Sequence, residues 1–352
     1  EAVERWLAAP DPAGRRPALV EALAHLGDPA HDAALARVTD GPDLELGRAV
    51  AAGVGRGRHD RWIPWLMDRI ERPRLRGSVR SALVAIGPPS VEPVARRLDQ
   101  ADESTFVRRA LPRVLARIPT PTSVEALIAH VLDPDPMVAR AIHRALVRLR
   151  LGYEELRFDR AAIRDALRAL ARRNQRHRRV LEALRPAAER GSDPDDGPFS
   201  PLSGRPERAL GLLVRTLEEA LAEDEATTLD LLALRHDPGD VERARRGLRS
   251  GASAEARSAA LELLENVCER DMKDAALAVL DHRVRPRHPS NPGAALLEVL
   301  DGESAWLRAC AAHVAAGAED PRLTERVRAA RSDPSPFVRD AATRALAGRT
   351  GV

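Results

Sequence analysis

Apolar residues recur three and four positions apart in short stretches along almost the whole chain, as in "LELGRAVAAGVG" (Leu44 to Gly55) and "RGSVRSALVAIG" (Arg76 to Gly87). That period places them on one face of a helix. Alternating runs of β-branched and aromatic residues, the mark of strands, are hard to find. The pattern predicts helices throughout and no sheet. Turns rich in Asp, Ser, Gly and Pro separate the stretches. Further helices of matching length follow, such as "SVEPVARRLDQ" (Ser90 to Gln100) and "SVEALIAHVLD" (Ser123 to Asp133). Two stretches are much longer: Phe158 to Gly191 and Glu207 to His236. Loops are expected at Gly191 to Pro206 and at His282 to Gly293. The expected organisation is a helical block over 1–150, a long helical pair over 151–235, and a second block over 236–352.

One sentence is written repeatedly. "LDPDPMVARAIHRAL" (Leu132 to Leu146) returns as "SDPSPFVRDAATRAL" (Ser332 to Leu346). Degenerate copies are "ESTFVRRALPRVLARI" (from Glu103), "SAEARSAALELLENV" (from Ser253) and "ESAWLRACAAHVAAG" (from Glu303). An arginine slot falls at Arg48, Arg80, Arg108, Arg257, Arg308 and Arg339; in the Asp133 copy it holds Ala139, with Arg140 beside it. Spacings near 31 residues are the signature of a helical-repeat array. A single helix pair cannot bury its apolar stripe, whereas stacked pairs share one core. Asp suits the cap of the second helix and Pro its first turn. Pro112 should end its helix early or kink it.

These residues resemble the HEAT repeat, and Asp333 to Leu346 follows its short bacterial form "D-P-x-x-V-R-x-A-A-x-x-A-L" nearly residue for residue. The resemblance implies an all-α fold, an extended right-handed HEAT-repeat solenoid. It implies that the slot arginines Arg48, Arg80, Arg108, Arg257, Arg308 and Arg339 are struts to neighbouring repeats. The order of segments is similar to repeat regions fused to nucleotide-transporter-like membrane domains in bacteria. The chain starts at Glu1 without an initiating Met, so a fragment of a longer protein is expected.

Composition narrows the chemistry. Aromatics are 3% of the 352 residues, so the core must be Ala, Leu and Val. The net charge of +3 conceals an asymmetry. Residues 1–190 carry 34 Arg and 25 acids (+9), and residues 191–352 carry 22 Arg plus Lys and 28 acids (−6). Lys273 is the one lysine; with abundant Ala this reads as a codon-composition bias, which weakens any case that Arg was chosen for phosphate. The longest apolar runs fall far short of the roughly 18 residues of a membrane span. Two isolated cysteines, Cys268 and Cys310, fit a reducing, cytoplasmic setting and no disulfide framework. The histidines lack the spacing of a zinc helix, no Ser has a nucleophile-elbow context, and no metal or cofactor is expected.

Several motifs have bland readings. "GVGRGRH" (Gly53 to His59) follows a helix and reads as turn glycines, not a phosphate loop. Trp62 and Trp65 share a helix face and read as a core plug. Glu223, Asp224 and Glu225 read as a solvated acidic face.

The basic rows are different. Arg109, Arg113 and Arg117 recur at i+4, as do Arg140, Arg144 and Arg148, each opposite an apolar stripe. If, as in HEAT arrays, second helices line the concave face, these six could point into one groove. Arg164, Arg168 and Arg172 extend the positive run. The function expected is a non-catalytic scaffold for a protein partner or an adjoining domain of the same polypeptide, on the cytoplasmic side and not itself inserted in a membrane. The alternative is nucleic-acid or other polyanion binding through the groove. HEAT-like glycosylases and bilin lyases define an enzymatic class, but their sites need convergent aromatics and acids that this chain is poor in.

Overall fold

The helix boundaries follow from local chemistry. Repeatedly an Asp, Asn or Thr side chain accepts a first-turn amide while Pro occupies the first turn, where no intrahelical N–H is lost. Thr120 takes the amide of Ser123 at 3.1 Å, Asn291 that of Ala294 at 2.8 Å, and Asp320 that of Arg322 at 2.9 Å. The structure, a computed structural model, describes residues 14–39, 43–100, 103–190, 206–249, 251–283 and 291–348. These residues are all-helical, with no strand among them. The expected loop at 191–206 lies outside the described residues except Pro206, as does 284–290 of the second loop. The chain divides into two compact units, Glu1–Asp159 and Arg160–Val352, so the long helical pair belongs to the second.

In the first unit, α1 (Arg16–Leu26), α3 (Leu44–Gly57), α5 (Arg76–Ile86), α8 (Pro112–Leu115) and α10 (Pro136–Gly152) pack each on the one before. α2 (Asp32–Val38), α4 (Ile63–Arg69), α6 (Val91–Leu98) and α9 (Pro121–Ala129) alternate with them, and α4, α6 and α9 pack in succession. The one-turn α7 (Thr105–Arg108) ends short of Pro112, which opens α8 instead, as its missing N–H requires. Leu66, Leu83, Leu98, Leu115, Leu127 and Ile142 are fully buried between the rows. Each such side chain contributes about 1.5–3 kcal/mol of transfer free energy.

The glycines of "GVGRGRH" are not in a turn; they lie inside α3. A Cβ on Gly53 would stand 2.4 Å from the Glu21 carbonyl of α1, and one on Gly55 would stand 2.8 Å from Ala82 Cα of α5. Close approach of the backbones on both sides is what requires them. Trp62 is buried beside Trp65, edge to face with ring centres 5.6 Å apart. Their ring N–H groups donate to Asp32 and Thr39, as a core plug should.

In the second unit, α11 (Arg160–Arg190) and α12 (Pro206–Ala233) lie along each other. α13 (Pro238–Leu248) packs on α14 (Ala254–Val267), while α15 (Arg270–Leu280) and α16 (Pro292–Leu300) pack on α11. α17 (Ala305–Ala316) touches α12, α16, α18 (Pro321–Ala329) and α19 (Pro336–Ala347). Asp224 is not on a solvated face: it is 1% exposed and accepts hydrogen bonds from Arg173 and Asn174 across the long pair. Sliding either helix by a turn would leave that carboxylate buried without its guanidinium, so the cluster pins the register.

Candidate functional site

Three neighbouring helical segments of the first unit wall a cavity of about 680 Å³. α5 contributes Arg80 with Gly77, Ser81 and Val84. The segment from α7 to the turn after α8 contributes Arg109, Arg113 and Arg117, and α10 contributes Arg140, Arg144 and Arg148. All six arginines of the two basic rows therefore meet in one place, with Arg80 as a seventh, and among the described residues no carboxylate lines the cavity. Local sequence explains the aim. On α10, Val138, Ile142, Ala145, Leu146 and Leu149 turn inward, which leaves Arg140, Arg144 and Arg148 on the opposite face, each step rising about 6 Å along the axis. Asp135 fixes where that helix starts, accepting the amide of Met137 at 2.9 Å. The floor between the guanidinium groups is aliphatic: Val84, Ala116, Ala141 and Ala145.

Most of these charges have no counter-charge beside them. Among the described residues, Arg80, Arg113, Arg117, Arg144 and Arg148 make no hydrogen bond or ion pair. Arg109 lies over the Phe106 ring, 5.9 Å from its centre. The Nε of Arg80 is buried without a partner. Its burial, and then the positive field of Arg113, Arg76 and Arg117, lowers its pKa below the ordinary guanidinium value. Several arginines of the second unit have acidic partners instead. Arg179 meets Glu298 at 2.9 Å, Arg245 meets Asp230 at 2.6 Å, Arg326 meets Asp301 at 2.6 Å, and Arg173 meets Asp224. The positive run on α11 is taken up in part: Arg164 and Arg168 face Asp165, and Arg178 donates to the carbonyls of Val279 and Asp281.

The slot arginines divide by what they touch. Arg108 donates to both oxygens of Asp133, and Arg308 to both oxygens of Asp333 at 3.0 and 3.1 Å. These two each tie a helix to the Asp-Pro turn 25 residues further on. Arg257 reaches the carbonyls of Leu248 and Leu280, and Arg48 that of Arg74 at 3.4 Å while pairing with Glu45. Arg339 bonds only the carbonyls of Asp333 and Pro334, at the start of its own helix. Arg80 makes no such bond and belongs to the cavity. The first Asp of the Asp-Pro motif is not the cap that spacing suggested. Asp333 accepts the amide of Ser335 at 2.8 Å and anchors the arginine, while the cap position is Ser335 itself. Against the upward pull of burial, Arg308 and the Ser335 amide hold Asp333 below the usual carboxylate range.

Phe106 and Met137, both exposed, were missed by sequence reasoning. Both stand at the second position of their helices, ahead of the buried Val107 and Val138, and Met137 lines the cavity. The matching slots of the second unit hold Trp306 and Phe337, also exposed. That shared slot, apolar yet one place before the buried residue, was the available signal.

Other candidates carry no chemistry. Burial pushes the Cys268 and Cys310 thiols up to about 11, so both are protonated at neutral pH. Among the described residues, no group of three His, Cys, Asp or Glu side chains could hold a metal ion. No helix there is long and apolar enough to cross a membrane. No protein-family model matches this chain, and no curated protein is similar to it.

Proposed function

We propose that the chain is a non-catalytic binding module of HEAT-type repeats, and that the cavity of its first unit takes a polyanionic partner. The observation that carries the reading is the absence of any carboxylate along a cavity lined by seven arginines. Guanidinium groups held together cost free energy through mutual repulsion unless an anion joins them. The recurring Arg–Asp strut and the alternation of helices in the first unit support the repeat assignment; the right-handed solenoid form is what the resemblance to HEAT repeats implies. The test is retention on heparin, a probe with charge and little else to recognise. The wild-type chain should be retained at low salt, and Arg113→Glu/Arg144→Glu should elute without retention while keeping its helical circular dichroism. Equal retention of both proteins would overturn the reading.

A second surface has an observation of its own. Trp306 is 53% exposed and Phe337 71% exposed, on the neighbouring helices α17 and α19. Such large apolar groups fit a protein partner or an adjoining domain of the same polypeptide. A photo-crosslinking residue placed at position 306 should give a protein adduct in the source cell, or an intramolecular crosslink in a longer chain. No adduct of either kind would remove this reading.

A further inference from the structure

The geometry points to single-stranded nucleic acid as the polyanion, its phosphates on the arginine rows and a base stacked at the Phe106 rim; this rests on the anion reading of the same cavity. Three observations select it over other polyanions.

The first is size. About 680 Å³ is the volume of a site for a small organic molecule. It admits a nucleotide or two of an extended strand, whereas a duplex could only lie across the mouth. The second is the layout of charge. Arg140, Arg144 and Arg148 rise about 6 Å per step on one helix and share the cavity with Arg113 of α8 and Arg117 of the turn just after it. Paired rows of that kind track a repeating anion and do not gather one compact charge.

The third is the exposed ring. Phe106 is 65% exposed, and the Arg109 guanidinium that lies over it belongs to the cavity wall. Met137, 43% exposed, lines the same wall. Thr105 and Asp135 hydrogen-bond to each other and so hold the starts of α7 and α10, and with them these two side chains, together. A flat aromatic face beside a line of arginines is the pairing that sequence-tolerant single-strand binders use, since every base offers a π-face. A chain of acidic residues offers the ring no π-face, and a sulfated sugar offers it only C–H groups.

The experiment is fluorescence anisotropy with a labelled oligothymidylate, competed by the same-length duplex, by polyglutamate and by heparin. Oligothymidylate should bind, and the duplex and polyglutamate should compete poorly at equal charge. Phe106→Ala should weaken oligothymidylate binding about 10-fold and leave heparin binding unchanged. Because Phe106 is exposed, that variant keeps the fold, which circular dichroism checks. If Phe106→Ala changes neither ligand or both equally, or if polyglutamate competes as well as the oligonucleotide, the nucleic-acid assignment fails and the anion site stands. If Arg113→Glu/Arg144→Glu still binds heparin, the anion site itself fails.

Discussion

Residues 103–148 and 303–348 are built alike, 200 positions apart, and differ in the charge they carry. Ser104 and Ser304 cap their helices in the same way, taking the amides of Val107 and Leu307. Arg108 grips Asp133 as Arg308 grips Asp333, and each aspartate also takes the amide two residues on. Five of the six groove positions, by contrast, are not shared. Where the first copy has Arg109, Arg113, Arg117, Arg140, Arg144 and Arg148, the second has Ala309, His313, Gly317, Asp340, Arg344 and Gly348. The one arginine left in the second set is paired with Asp340 at 3.0 Å. The second copy shows that these helices stack without the arginine rows. Fold stability therefore does not account for the rows, and this difference is what favours the proposed anion site.

The comparison can be broken at its shared part first. Asp133→Ala and Asp333→Ala each leave a buried guanidinium without its carboxylate, and each should cost its own unit about 3 kcal/mol. Hydrogen exchange resolved by peptide should show the loss confined to the unit carrying the change. Loss in one unit alone, whichever aspartate is changed, would mean that the two struts are not equivalent. The close helix approach within the first unit comes next. Gly55→Ala should destabilise it by about 1–3 kcal/mol, because the new methyl meets Ala82 of α5. Chemical denaturation reads this directly. A smaller effect of opposite sign sharpens the contrast: Arg144→Gln should stabilise the first unit by about 0.5 kcal/mol by relieving like-charge repulsion. Arg344→Gln, which breaks an ion pair, should not stabilise the second.

Acid adds a finer test. Asp333 titrates below the usual carboxylate range in the fold, so its contribution is complete above the ordinary value of about 4. It fades as pH falls through the lowered folded value. In Asp333→Asn that part of the acid dependence of the second unit should vanish, as a urea series run down through pH 4 would show.

Much of this was legible in the residues. Helical period, Asp-Pro openings and the arginine slot mark nearly every helix, and the i+4 rows locate the six groove arginines. What stayed hidden depends on partners distant in sequence. The aspartates that hold Arg108 and Arg308 lie 25 residues away, so no local pattern separates a paired arginine from an unpaired one such as Arg80. Asp224 reads as solvated until α11 is laid against it. The α3 glycines read as a turn because a Gly-rich run is a poor helix former in isolation, and only the two flanking backbones explain them. Pro112 does break its helix, yet the break leaves Arg109 on the same wall as Arg113 and Arg117.

The most direct measurement is the salt dependence of heparin binding for three proteins: wild type, Arg113→Gln/Arg144→Gln, and Arg344→Gln. The first-unit pair should flatten the slope of log affinity against log salt by about 2, one for each charge removed, while Arg344→Gln should retain the wild-type slope. A slope unchanged by the double substitution, or flattened equally by Arg344→Gln, would contradict the assignment of binding to the arginine-lined cavity.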